Sequence, residues 1–82
     1  RGLKCIEDIQ QYFQITNINH IKPGVGETTR VLLRRVPWKI LVNPLVQQDL
    51  AHIYLLAEEL GVDIEYYDNM TYACCGLIKE LT

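Results

Sequence analysis

Hydrophobic positions along the chain fall in patches whose spacing changes from one to the next. Between Leu3 and Phe13, the residues Leu3, Ile6, Ile9 and Phe13 recur at helical spacing, with Glu7, Asp8 and Gln10 outside the stripe. The segment "ITNINHIKPG" mixes β-branched residues with turn formers and predicts a short extended piece from Asn19 to Ile21, stopped by Pro23 and Gly24. A second helix is expected from near Gly26 to about Arg35. "WKILV", Trp38 to Val42, is a continuous apolar run of strand length, and Asn43 is placed to cap a following helix with Pro44 in its first turn. From Val46, the residues Leu50, Ile53, Ala57 and Leu60 trace one helical stripe that Gly61 can end. "VDIEYY" sets Val62, Ile64 and Tyr66 against Asp63, Glu65 and Tyr67, a half-buried strand with Tyr67 outward. Asp68 or Asn69 then caps a final expected helix whose stripe is Met70, Cys74, Leu77 or Ile78, and Leu81.

Strands alternating with helices in this order predict an α/β fold: a small α-β-α sandwich with a short mixed sheet of three to four strands and helices on both faces. The 82 residues suit a single domain, 1–82, with no room for a second core. The chain opens on Arg1 instead of methionine, so the expectation is a fragment of a longer multidomain protein. At 49% hydrophobic and 22% charged it is globular. No apolar run approaches the roughly 18 residues of a membrane span and no signal-peptide pattern is present, so no membrane partner is expected. Three cysteines, two of them adjacent, do not form a disulfide framework, and a reducing, cytoplasmic setting is expected.

Charge changes the picture more than composition does. Between His20 and Ile40 lie Lys22, Arg30, Arg34, Arg35 and Lys39, opposed only by Glu27. The remainder is acidic, so the net charge of −2 conceals a segregated distribution. A local basic patch matters more to a polyanion than the total does, although the same side chains could simply solvate a helix face.

The centre of that patch, "IKPGVGETTR", imitates a phosphate-binding loop and fails as one. Such a loop needs Gly-x-x-x-x-Gly-Lys-Ser/Thr, whereas Ile21 stands at its first glycine and Glu27 at its lysine. Gly24 and Gly26 still leave a bare backbone at the amino end of a helix, where unpaired N–H groups favour phosphates or electronegative base edges. Arg30 and Arg34 follow at i,i+4 on the side of Glu27. That set suits either an RNA contact or an ordinary glycine turn with Glu27 near the helix dipole.

The stretch "IKPGVGETTRVLLRR" resembles the signature of the ribosomal kink-turn-binding family, which includes pelota-like RNA-binding domains. That signature reads roughly Ile-x-x-Gly-x-Asn-Glu-x-x-Lys; Ile21, Gly24, Glu27 and Thr29 match in place, and Arg30 stands at the basic position. "KILVNP", "LAHIYLLAEELGV", "VDIEYYDN" and "YACCGLI" continue the likeness in order, with Cys75 and Gly76 in register. Gly26 replaces the family's asparagine, whose amide helps to read sheared guanine–adenine pairs. The resemblance implies a non-catalytic module for structured, kink-turn-like RNA. Lys22, Gly24, Gly26, Glu27 and Arg30 would line the helix start, Arg34 would extend the contact, and the loop from Asp68 to Tyr72 would face them. The alternative is a protein-interaction or regulatory accessory domain that keeps the fold without RNA, its partners being other domains of the parent protein.

No catalytic set, metal site or cofactor is expected. Cys74 and Cys75 lack a Cys-x-x-Cys pair or a histidine cluster and suit packing, with Cys75 the more exposed. His20 and His52 are isolated in sequence, Tyr67 is a weak candidate for base stacking, and Trp38 is expected to pack under the first helix.

Overall fold

A computed structural model of the chain describes residues 3–78. Helix α1 (Ile6–Phe13) precedes a single 3₁₀ turn (Ile18–His20), strand β1 (Ile21–Pro23), helix α2 (Val25–Arg34) and strand β2 (Lys39–Val42); helix α3 (Ala51–Leu60) and strands β3 (Asp63–Tyr66) and β4 (Cys74–Leu77) follow. The four strands form one sheet in the order β1-β4-β2-β3. Strand β4 runs antiparallel to both β1 and β2, and β2 and β3 are parallel, joined by the α3 crossover. Helix α1 covers one face, through Ile9 against Ile21, Leu41, Cys75 and Leu77. Helices α2 and α3 cover the other, through Leu32, Ile53 and Ala57 against Ile40, Val42 and Cys74. This is the α-β-α sandwich expected, with a mixed sheet.

The local signals act largely where they stand. Glu7 and Asp8 favour the positive start of α1, and the Asp8 carboxylate accepts from the Lys4 backbone N–H at 3.2 Å. Gly61 ends α3 in the left-handed region at φ 70°, while the Val62 N–H reaches back to the Ala57 carbonyl at 2.8 Å. Leu3 lies outside α1, buried in a bridge to Met70.

Three expectations need correction. The final helix does not form: "CCGL" is the central strand β4, buried at every position. A strand covered on both faces shows no alternation, so its apolar run cannot be told from a helical stripe by spacing. Leu81, the last residue of that stripe, lies outside the described residues. Asn43 does not cap a helix, because α3 begins only at Ala51, where the Asp49 carboxylate accepts from the Ala51 N–H at 3.1 Å. Asn43 is instead buried: its side-chain oxygen accepts from the Leu45 N–H at 3.0 Å and its amide donates to the Met70 carbonyl. Finally, Tyr66 is 57% exposed, while Tyr67 packs against the α1-side core. Alternation separates two faces of a strand without saying how far each is covered, and here α1 covers the Tyr67 side.

Leu50, Ile53 and Ala57 face the sheet as expected, whereas Leu60 is 43% exposed. Truncating Ile53 to alanine should therefore cost roughly 2–5 kcal/mol and lower the urea midpoint. Leu60→Ala should shift it far less. Similar midpoints for the two variants would show that the buried face of α3 is misassigned.

Candidate nucleic-acid interface

Strand β1 runs into α2 through Gly24, whose φ of 93° strains any residue with a Cβ. The Gly24 N–H donates to the Cys74 carbonyl at 2.8 Å, and its carbonyl accepts the first helical bond, from Thr28 N–H, at 3.0 Å. No side chain caps α2, so the N–H groups of Val25, Gly26 and Glu27 are left without helical partners. Glycine at 26 has another character. Its φ is not positive, it is exposed, and a Cβ built there would meet nothing within 4 Å.

Helix α2 is pinned at this place by Thr28, which is fully buried. Its hydroxyl donates to the Lys22 carbonyl at 3.3 Å and takes a weak bond from the Cys74 thiol at 3.5 Å. Directly beneath lies Gly76, where a Cβ would already touch the Thr28 Cα at 3.8 Å. Any longer side chain there would press on the helix backbone.

With α2 held in this way, its flank and β1 enclose a shallow concavity of about 220 Å³, lined by Lys22, Glu27, Arg30, Val31, Arg34, Arg35 and Ile78. Four of the six site residues expected from sequence (Lys22, Glu27, Arg30 and Arg34) thus come together. Gly24 and Gly26 shape the helix start beside it without lining it. Arg35 was visible in the sequence only as part of the basic run. Ile78 could be placed only once β4 was known to be a strand.

The charged groups of the concavity form no ion pair among the described residues. Among the described residues the one salt bridge is Lys39–Glu65, at 2.7 Å on the α1 side. Lys22, Arg30, Arg34, Arg35 and Glu27 have no ion-pair partner among the described residues. Arginines at i,i+4 repel one another by a few tenths of a kcal/mol, which offsets much of what Arg34 gains in the last turn of α2 from the helix dipole, so the cluster adds little to the isolated fold. It suits an anion. Lys39, counted with the basic segment, belongs elsewhere: it is nearly buried, ion-paired, and 5.1 Å from the Trp38 ring centroid. Glu65 is held below its usual pKa, first by the hydrogen bond from Lys39 and then by that from the Tyr67 hydroxyl at 2.6 Å. Trp38 meets α1 only edge-on, through Phe13 at 6.3 Å, and stays 39% exposed.

The loop from Asp68 to Tyr72 does not face the concavity. Met70 is buried on the α1 side, Tyr72 packs beside it, and the Thr71 hydroxyl donates to the Lys4 carbonyl. The α2 start is bordered instead by β4, through Cys74. His52 is not isolated in space, since its Nε2 lies 2.8 Å from the Thr29 hydroxyl and links α3 to α2. Both adjacent cysteines are fully buried, Cys75 included, against expectation. Burial raises the Cys74 thiol pKa and pushes that of Cys75 up to about 12. As neighbours on a strand they point to opposite faces of the sheet. Among the described residues, no group of three histidine, cysteine or acidic side chains could hold a metal ion, and no helix is long and apolar enough to cross a membrane.

A small α/β domain with an uncapped helix start beside a basic concavity has the charge and shape to meet a polyanion. Residues 1–80 match the model of the PELOTA RNA binding domain, and the chain belongs to that family. It is also 41% identical over 80 residues to a protein named Cysteine protease StiP, from Acinetobacter baylyi. The match takes in 95% of this chain but only 21% of that protein, so the chain spans about a fifth of the relative's length.

Two measurements check the site. If the concavity takes RNA phosphates, Arg30→Ala and Arg34→Ala should each weaken binding and flatten the log–log salt dependence by roughly 0.7–0.9 per lost contact. Lys4→Ala, outside the concavity, should do little; equal effects from all three would mean diffuse attraction. An aromatic disulfide reagent should label the folded chain at Cys5 alone, because Cys5 is exposed and the other two thiols are buried. Rapid native labelling of two or more sites would contradict the placement of β4.

Proposed function

We propose that the domain is a non-catalytic module for bent, internally looped RNA of the kink-turn kind, held along the α2 flank. The observation that carries this reading is the concavity itself, in which four cations surround one carboxylate beside an uncapped helix start, none of them ion-paired among the described residues. Phosphates answer to Lys22, Arg30, Arg34 and Arg35, while Glu27 offers an acceptor to base N–H groups. A site for phosphate alone would have no use for Glu27. The domain acts as one part of a larger protein, as the matching region does in its much longer relative.

The protease chemistry named for that relative belongs, in this reading, to its other four fifths. A cysteine protease pairs a thiol with an imidazole within hydrogen-bond reach. Among the described residues no hydrogen bond joins a cysteine to a histidine: Cys74 meets Thr28, Cys75 meets the Gly76 carbonyl, and His52 meets Thr29. The buried thiols also carry raised pKa values, which disfavours the nucleophilic thiolate.

Two substitutions at the helix start test the RNA reading in opposite directions. The quantity to measure is the ratio of affinities for a bent, internally looped RNA and a plain duplex of equal length. Glu27→Lys should lower this ratio, because lysine has no acceptor for a base, while duplex binding stays level or rises with the added charge. Gly26→Asn should raise it, since the open space at Gly26 admits the amide present at this position in the resembling family. If the wild-type domain shows no preference between the two RNAs, the reading fails. The alternative, a protein-interaction or regulatory accessory domain without RNA binding, would then stand.

A further inference from the structure

Helices α2 and α3 run side by side in one direction. Strands β1 and β2 are both antiparallel to β4, and β3 is parallel to β2, so the two helices that link these three strands point the same way. The bond between the Thr29 hydroxyl and the His52 ring, at 2.8 Å, sets the helices in height. Counting on from it, Leu33 stands level with Leu56, and Arg34 and Arg35 stand level with Ala57 and Glu58.

The outer face of the pair is apolar at its centre and oppositely charged on its two flanks. Opposite its buried side, α2 presents Leu33 at 68% exposure, and α3 likewise presents Leu55 at 58%. The Thr29–His52 bond marks the inner flanks, where the helices meet. Arg30 and Arg34 lie on the outer flank of α2, toward β1. Glu58 lies on the outer flank of α3, one turn on from Tyr54, whose side chain hydrogen-bonds to Tyr66 of β3. Both helices therefore stand between Arg34 and Glu58 of one chain, and neither side chain has an ion pair among the described residues.

We infer that the outer face of α2 and α3 binds a second copy of this chain in a twofold dimer whose axis runs parallel to the helices. That axis lays α2 of each copy over α3 of the other at the same height. Leu33 then packs on Leu55 of the second copy, and Arg34 reaches Glu58 of the second copy, as flanking charges do beside a coiled-coil seam. Each contact occurs twice, because a twofold interface repeats every contact in reverse. Charge decides the occupant. A nucleic acid on this face would set phosphates against Glu58 and Glu59, and a twofold axis across the helices would set like flank on like. Only the parallel axis puts the basic flank on the acidic one. Two ten-residue helices side by side offer a face of roughly 15 by 20 Å, which suits a weak, reversible dimer. The proposal does not rest on the RNA reading, since Leu33, Leu55 and Glu58 lie outside the concavity.

The test is sedimentation equilibrium of the 82-residue chain without RNA, from about 20 μM to 1 mM, the range of a weak interface. The expected mass rises from one chain toward two and no further. Leu55→Asp should raise the dissociation constant by about tenfold or more, because it buries a charge twice in the symmetric interface. Glu58→Arg should do the same by facing Arg34 with a like charge, and adding Arg34→Glu to it should restore the dimer. In a mixture of isotope-labelled and unlabelled chains, methyl contacts between copies should join Leu33 to Leu55. Should a variant fail to fold, those contacts in the unaltered chain decide alone. A single-chain mass throughout, growth beyond two chains, or a dimer indifferent to Leu55→Asp would overturn the proposal. So would failure of the charge exchange to restore the dimer, or contacts between copies at another surface.

Discussion

The contact on which the site depends is the seat of Thr28 over Gly76. Helix α2 approaches the central strand closely enough for a threonine backbone to lie against a glycine, and the Thr28 hydroxyl ties the helix to the Lys22 carbonyl. The Gly24 N–H makes the matching bond to β4 one turn earlier. Together these contacts fix the height, rotation and starting point of α2 over the sheet. Because Lys22 is on β1 and the arginines are on α2, that placement decides whether their charges converge. Moving the helix outward would open the concavity and part Lys22 on β1 from the arginines on α2. A Cβ at 76 would just reach contact distance of Thr28, so only a longer side chain there would push on the helix that carries the arginines.

This dependence also explains what could and could not be read from the residues. Helix α2, the α3 stripe from Leu50 to Ala57, and β2 were legible because each has one buried side or a continuous apolar run bounded by clear stops. The site was legible in part, since Lys22, Glu27, Arg30 and Arg34 lie within one short segment that folds as β1-α2. Strand β4 was not legible. Met70, Cys74 and Ile78 happen to repeat every four residues, and full burial on both faces erases the alternation that would have marked a strand. Since β4 is the strand that organises the sheet, mistaking it hid Ile78 from the site and left Cys75 looking exposed. Asn43 and Lys39 were misread for a related reason. Their partners, Met70 and Glu65, are more than twenty residues away, and no local signal announces such a bond.

Charge in this domain is sorted by where it can be neutralised. Lys39 is nearly buried and has its carboxylate, an additional bond from Tyr67 to that carboxylate, and an aromatic ring beside it. Such company is what a cation removed from water requires. The α2 arginines are exposed and have no ion-pair partner among the described residues, which water tolerates at slight cost. They gain strongly only when a polyanion displaces its own counterions onto solvent. The fold therefore gains little from the convergence of the arginines, which suits an anionic partner better than an internal one. Glu27 follows the same logic with the opposite sign. Near an uncapped helix start it is stabilised by the dipole, so a carboxylate can be kept among arginines without an ion pair.

The same sorting bears on the cysteines and on the likeness to part of a protease. A thiol that serves as nucleophile must reach water and a base, and the strand that holds Cys74 and Cys75 is the most enclosed in the molecule. Its neighbours supply hydroxyl and carbonyl oxygens, Thr28 for Cys74 and Gly76 for Cys75, and none of these can accept a proton near neutral pH. Burial instead makes the two thiols small apolar wedges, one for each layer of the core, and lets β4 carry side chains compact enough for α1 and α2 to close on it from both sides. A change that gave either thiol access to solvent would have to lift one of those helices, and lifting α2 would dissolve the concavity. Exposing Cys74 by lifting α2 would thus cost the concavity, whereas Cys75 is enclosed from the other face by α1.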